Sequence, residues 1–174
     1  VNSGRRIESL ILILTSRCNW RCSYCYQNAQ NGRRMDWRTL RASIDFALGL
    51  ETDEIELIFL GGEPLLEWDN LRKAVEYAEQ HAQPQKRFRY ALTTNGFLIT
   101  DQIAAFLDQH SIHTRISFDG LAAMQDCRKE GSFAAMDRLL SRLYRDALGR
   151  DLVLSDTEEP VLLGTAMAAA VAGG

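Results

Sequence analysis

The sequence predicts an α/β fold built from four successive strand–helix units on a parallel sheet. Three observations point there. Four β-rich apolar segments alternate with four stretches of helical spacing, joined by short links. Each strand segment ends in a turn-type or polar motif. The chain has 174 residues, 46% of them apolar, which suffices for one real core and not for two full domains. Alternation with short links implies right-handed crossovers between parallel strands. In such sheets ligands gather at the C-terminal ends of the strands.

The elements follow in order. Ile7 to Thr15 contains the run Leu10-Ile11-Leu12-Ile13-Leu14 and reads as a strand buried on both faces. A polar stretch from Gln27 to Arg34 leads to a helix with Asp36 as N-cap and Trp37, Leu40, Ile44, Ala47 and Leu48 at helical spacing. Glu54 to Leu60 is a second strand, ending in Gly61-Gly62. A helix over about Asp69 to His81 places Leu71, Ala74, Val75 and Ala78 on one face. Phe88 to Thr94 is a third strand ending at Asn95-Gly96, and Asp101 to Gln109 a third helix. Ile112 to Phe118 is a fourth strand ending at Asp119-Gly120. Ser132 is placed to cap a fourth helix that carries Phe133, Met136, Leu139, Leu140 and Leu143.

The formal net charge is −3 and no basic block stands out, which argues against nucleic acid as a partner. Val1 to Arg6 lacks the apolar run of a signal peptide. The longest uncharged stretch, Pro160 to Gly174, is shorter than the roughly 20 residues that span a membrane. The expectation is a cytoplasmic protein with no membrane partner.

Three of the four cysteines fall within eight residues, as Cys18-Asn19-Trp20-Arg21-Cys22-Ser23-Tyr24-Cys25. A disulfide framework would spread them, so this clustering points to metal or redox chemistry. One short loop can offer three thiolates to three irons of a 4Fe-4S cluster. The fourth iron would then lack a nearby protein ligand and could bind substrate as a Lewis acid. A zinc site is an alternative, although His81, His110 and His113 all lie far away in sequence. A redox CxxC from Cys22 and Cys25 is another, and it leaves Cys18 unexplained. Cys127 reads either as a fourth ligand or, as a lone cysteine, as a buried apolar residue.

CxxxCxxC with the aromatic Tyr24 before its last cysteine, placed after the first strand, resembles the radical S-adenosylmethionine (radical SAM) superfamily. The context Leu14-Thr15-Ser16-Arg17-Cys18-Asn19 through Cys25-Tyr26 is similar to the branch that modifies peptides and proteins, the anaerobic sulfatase maturases and their SPASM-type relatives. Phe59-Leu60-Gly61-Gly62-Glu63-Pro64-Leu65-Leu66, Thr94-Asn95-Gly96-Phe97-Leu98 and Ile116-Ser117-Phe118-Asp119-Gly120 resemble its later strand ends. Asp126, Arg128, Gly131, Ser132 and Phe133 fit the stretch that follows.

The resemblance implies a partial radical SAM barrel, about four strand–helix units of it, over residues 7–143. It implies Cys18, Cys22 and Cys25 as ligands to the cluster, whose open iron chelates S-adenosyl-L-methionine. Gly61, Gly62 and Glu63 would contact the methionine amino group, the glycines because a missing Cβ lets backbone approach the ligand. Tyr24 would lie beside the adenine unless it serves only packing. Ser117 and Arg128 would hold the methionine carboxylate, Arg128 by its charged fork, unless they are an ordinary strand-end hydroxyl and a solvated charge. Asn95 is read as shaping a turn. One electron from the reduced cluster would yield a 5′-deoxyadenosyl radical that takes hydrogen from a peptide or protein substrate. An external one-electron reductant such as ferredoxin or flavodoxin is implied as a partner.

The sequence also departs from the family. More strand–helix units and an extension with further cysteines are expected than are present. Residues 144–174 instead resemble the C-terminal segment of ribulokinase-type sugar kinases, too short to bring a phosphate site or a catalytic base. A non-catalytic iron–sulfur or electron-transfer module, and a sugar kinase fragment, stand as alternative functions.

Overall fold

The computed structural model describes residues 7–25 and 32–148, with side chains to 143. The reading of the tail as kinase-like falls almost entirely outside these residues. The chain divides into two compact units, Val1–Asn19 with Cys25–Ser117, and Trp20–Tyr24 with Phe118–Gly174.

The first unit is a four-stranded parallel sheet in the order β1-β2-β3-β4, with β1 at Ser9–Thr15, β2 at Glu54–Gly61, β3 at Arg87–Thr94 and β4 at His113–Ile116. Between them run α1 (Trp37–Leu48), a 3₁₀ turn (Pro64–Glu67), α2 (Trp68–His81) and α3 (Asp101–Gln109). The Asp36 side chain accepts from the Thr39 N–H at 2.8 Å and starts α1, as its sequence position suggests. Thr100 does the same for α3 through Ile103. In α2 all four apolar positions read from the spacing, Leu71, Ala74, Val75 and Ala78, are fully buried.

Strand register sorts the sheet into two faces. Leu12 stands beside Phe59, and Phe59 beside Leu92; all three are almost fully buried. On the other face Ile11 pairs with Ile58, and Ile13 with Leu60. Ile11 and Ile13 are 56% and 54% exposed, so β1 is not buried on both faces as its unbroken apolar run suggests. Period-two alternation sends Leu12 and Leu14 under the helices and leaves the isoleucines open. The fourth strand is also shorter than Ile112 to Phe118, ending at Ile116.

The second unit contains α4 (Ala122–Asp126), which the sequence reading lacked, and α5 (Ser132–Leu148). Ser132 does not cap α5. Its hydroxyl donates back to the Gln125 carbonyl at 3.2 Å, and Asp126 accepts from the Phe133 N–H at 3.1 Å in its place. Met136 is fully buried. Among the described residues no helix is long and apolar enough to cross a membrane.

Candidate functional site

In the sheet unit the site is built where β1, β2 and β3 end. The backbone after β1 is clamped from two sides. On one, Ser16 N–H donates to Arg33 O and Met35 N–H to Leu14 O. On the other, Gly62 N–H donates to Thr15 O and Glu63 N–H to Arg17 O, both at 2.8 Å. A Cβ on Gly61 would lie 2.6 Å from Thr15 O, and one on Gly62 would lie 2.4 Å from Arg17 O. The glycines are therefore required by the chain that delivers Cys18.

Glu63 is fully buried. Its carboxylate accepts from the Thr94 hydroxyl at 2.7 Å, Asn95 N–H at 2.8 Å and Leu65 N–H at 3.0 Å. Burial pushes its carboxyl upward, and the three donors oppose that shift. Through Thr94 and Asn95 its oxygens tie the end of β2 to the end of β3. Asn95, read as a turn residue, makes the turn through its Oδ1, which accepts from Phe97 N–H at 3.0 Å. Its amide nitrogen reaches the cysteine loop, donating to Asn19 Oδ1 at 2.7 Å with Cys18 Sγ at 4.0 Å. Ser117 follows β4, and its N–H donates to Thr94 O at 2.9 Å.

In the other unit Asp119 gathers Tyr24 and Arg128. Arg128 grips the Asp119 carboxylate in a fork, Nε at 2.7 Å and Nη2 at 2.5 Å. The Tyr24 hydroxyl donates to the same carboxylate, and the guanidinium lies over the Tyr24 ring, 5.4 Å from its centre. Arg128 is therefore not a solvated charge; its side chain is only 15% exposed. Tyr24 is not core packing either, since the residue is 54% exposed. Its phenol is pushed up to about 12 by lost hydration of the hydroxyl and by the Asp119 bond, against the pull of Arg128. The Arg128 bonds hold Asp119 below the usual carboxylate range, and they raise Arg128 in turn. Asp119-Gly120 reads as a turn in the sequence, which hides this role. An aspartate nine residues before an arginine is the only sequence signal for it.

Cys18, Cys22 and Cys25 are all thiols and all partly exposed. Ser23 N–H, inside the motif, donates to the carbonyl of Cys127 at 3.3 Å. Cys127 is exposed rather than buried, and its thiol donates to Ala123 O on its own helix at 3.2 Å. The apolar reading fails because α4 is short and turns this position outward. Among the described residues no three His, Cys, Asp or Glu side chains could hold a single metal ion. A cubane asks for a different arrangement, one thiolate on each of three irons.

A family model described as Radical SAM superfamily matches residues 12–145. An uncharacterized protein of Methanocaldococcus jannaschii is 34% identical over 162 residues, 90% of this chain and 56% of its own length. A cysteine-type anaerobic sulfatase-maturating enzyme of Clostridium novyi is 28% identical over 142 residues, 74% of this chain and 38% of its own. A solved structure described as native anSMEcpe with bound AdoMet and a peptide superposes with a TM-score of 0.71 at 24% identity, over 80% of this chain and 40% of that one. The chain spans about half the length, or less, of the relatives it matches.

Proposed function

The chain belongs to the radical SAM superfamily, and we propose on that premise that it holds a 4Fe-4S cluster on Cys18, Cys22 and Cys25 and binds S-adenosyl-L-methionine against it. The observation that carries this reading is the CxxxCxxC run at the end of β1, inside a family match that covers most of the chain. The donor set fits the group: three partly exposed thiols on one short loop, with no disulfide to compete. When bound, the pair would supply one-electron cleavage of a sulfonium and hydrogen abstraction from substrate.

The chain's own residues have separable tasks. Gly61 and Gly62 admit the Thr15–Arg17 backbone and so fix where the cysteine loop departs. Glu63 holds that position by linking β2 to β3. Arg128 spends Nε and Nη2 on Asp119, so its Nη1 edge is what it can offer a second carboxylate. Asp119 keeps that edge oriented, and Tyr24 presents a half-open ring beside it. Ser117, just after β4, offers a hydroxyl to the ligand.

A peptide or protein substrate is supported by the sulfatase-maturating relative and the peptide-bound fold neighbour. An external one-electron reductant such as ferredoxin or flavodoxin follows from the chemistry. Anaerobic reconstitution tests the reading. The expected content is close to four irons and four sulfides per chain (the stoichiometry of such a cluster). Cys18→Ala, Cys22→Ala and Cys25→Ala should each abolish it. Retention of a full cluster by any of these variants would remove that ligand from the site.

A further inference from the structure

We propose that Asn95 is a positioning residue for the cluster, donating an amide N–H to the Cys18 sulfur and raising the cluster's reduction potential. The inference rests on the reading of Cys18 as a ligand and deepens it. Residue type alone assigns Asn95 only a turn.

The geometry fixes which way the Asn95 amide points. Its backbone N–H is held by the Glu63 carboxylate at 2.8 Å, and that carboxylate is itself immobilised by Thr94 and Leu65. Its side-chain oxygen accepts from Phe97 N–H at 3.0 Å. An amide anchored through its oxygen cannot flip without leaving that donor unmatched, so the nitrogen faces the cysteine loop. The residue is only 7% exposed, so water competes poorly for it. Nδ2 has two N–H bonds to give. Asn19 Oδ1 takes one at 2.7 Å, and Cys18 Sγ is the acceptor next in reach, at 4.0 Å. As a thiol, Cys18 also faces Asn19 Oδ1, at 3.8 Å. As an iron-bound thiolate it has no proton to donate and can only accept, which favours the amide contact.

Reduction adds negative charge that spreads over the cluster's sulfurs. A donor aimed at one of them stabilises the reduced state more than the oxidised one and raises the potential. Glu63 and Asn95 thus act through Cys18 and do not touch the reacting atoms.

The experiment is a redox titration of the reconstituted full chain, followed by electron paramagnetic resonance, with iron content and circular dichroism measured alongside. Asn95→Ala removes the donor. Asn95→Asp removes it within the same shape, keeps the oxygen that holds Phe97 and adds charge. Both should retain cluster and fold while reduction becomes about tenfold less favourable, which is 59 mV for one electron, with the larger fall in Asn95→Asp. Asn19→Ala keeps the Asn95 donor and frees it for sulfur, so its potential should stay at or above the parent's. A parent potential in both Asn95 variants overturns the inference, as does an equal fall in Asn19→Ala. Loss of the cluster from both folded Asn95 variants would place the residue in assembly and overturn tuning. Failure of the parent chain to take up iron would instead overturn the cluster reading.

Discussion

Gly62→Ala is expected to damage both stability and the cysteine loop. The added Cβ would sit 2.4 Å from Arg17 O, 2.7 Å from Arg17 C and 3.0 Å from Ser16 O. All three are backbone atoms, so no side chain can swing away. Relief requires the Thr15–Arg17 strand end to move by about an ångström, and overpacking of this kind typically costs about 1–3 kcal/mol. That movement also stretches the bonds Gly62 N–H to Thr15 O and Glu63 N–H to Arg17 O. Each is worth about 1 kcal/mol net. The total is roughly 3–5 kcal/mol, a large part of the 5–15 kcal/mol by which domains are usually stable. Urea unfolding monitored by circular dichroism reads the loss, and iron content after reconstitution reads displacement of Cys18. Gly49→Ala is the control, because a Cβ there meets only ordinary contacts at 3.6 Å. A Gly62→Ala variant within about 0.5 kcal/mol of the parent, with full iron content, would refute the claim that these glycines exist to admit the cysteine-bearing chain.

Glu63→Ala leaves the Thr94 hydroxyl and the Asn95 and Leu65 N–H groups without their buried acceptor. At about 1–3 kcal/mol per unmet donor it should be more damaging than Glu63→Gln, which keeps one oxygen; urea midpoints compare them. Asp119→Asn should cost about 1–2 kcal/mol at neutral pH by weakening the Arg128 fork. Because Asp119 is held below the usual carboxylate range, its contribution is full above about pH 4 and fades as pH falls through the depressed value. The gap between parent and variant should therefore close in acid, and a gap that widens there would contradict the ion pair. Cys127→Ser should change stability by less than about 0.5 kcal/mol and leave iron content intact, since the thiol is exposed and bonded to its own helix.

What the sequence made legible was one-sided burial. Leu71, Ala74, Val75 and Ala78 of α2 recur at helical spacing because one face meets the sheet, and each is buried. Asp36 announced α1 because an N-cap bond is local. The strand ends could be read because glycine and asparagine punctuate them. What stayed hidden depends on partners distant in sequence. Tyr24 and Asp119 are 95 residues apart, and no periodicity links them. Gly61 and Gly62 were recognisable as a motif, while their packing against the backbone of Thr15 and Arg17 was not, because that backbone is distant in sequence. Five-residue α4 is too short to leave a helical pattern, and missing it misplaced both Cys127 and the cap of α5.

The most direct test mixes the reduced, reconstituted protein with S-adenosyl-L-methionine and records the electron paramagnetic resonance spectrum. If Cys18, Cys22 and Cys25 occupy three irons, the fourth is open to the ligand, and the cluster signal should shift on its addition. The parent and Cys127→Ser proteins should shift alike. Slow or absent release of 5′-deoxyadenosine would be consistent with that binding, because a reacting group misplaced by about 1 Å can cost about 100-fold in rate. An unchanged spectrum at millimolar ligand, with a full cluster present, would contradict an open iron and favour an electron-transfer module.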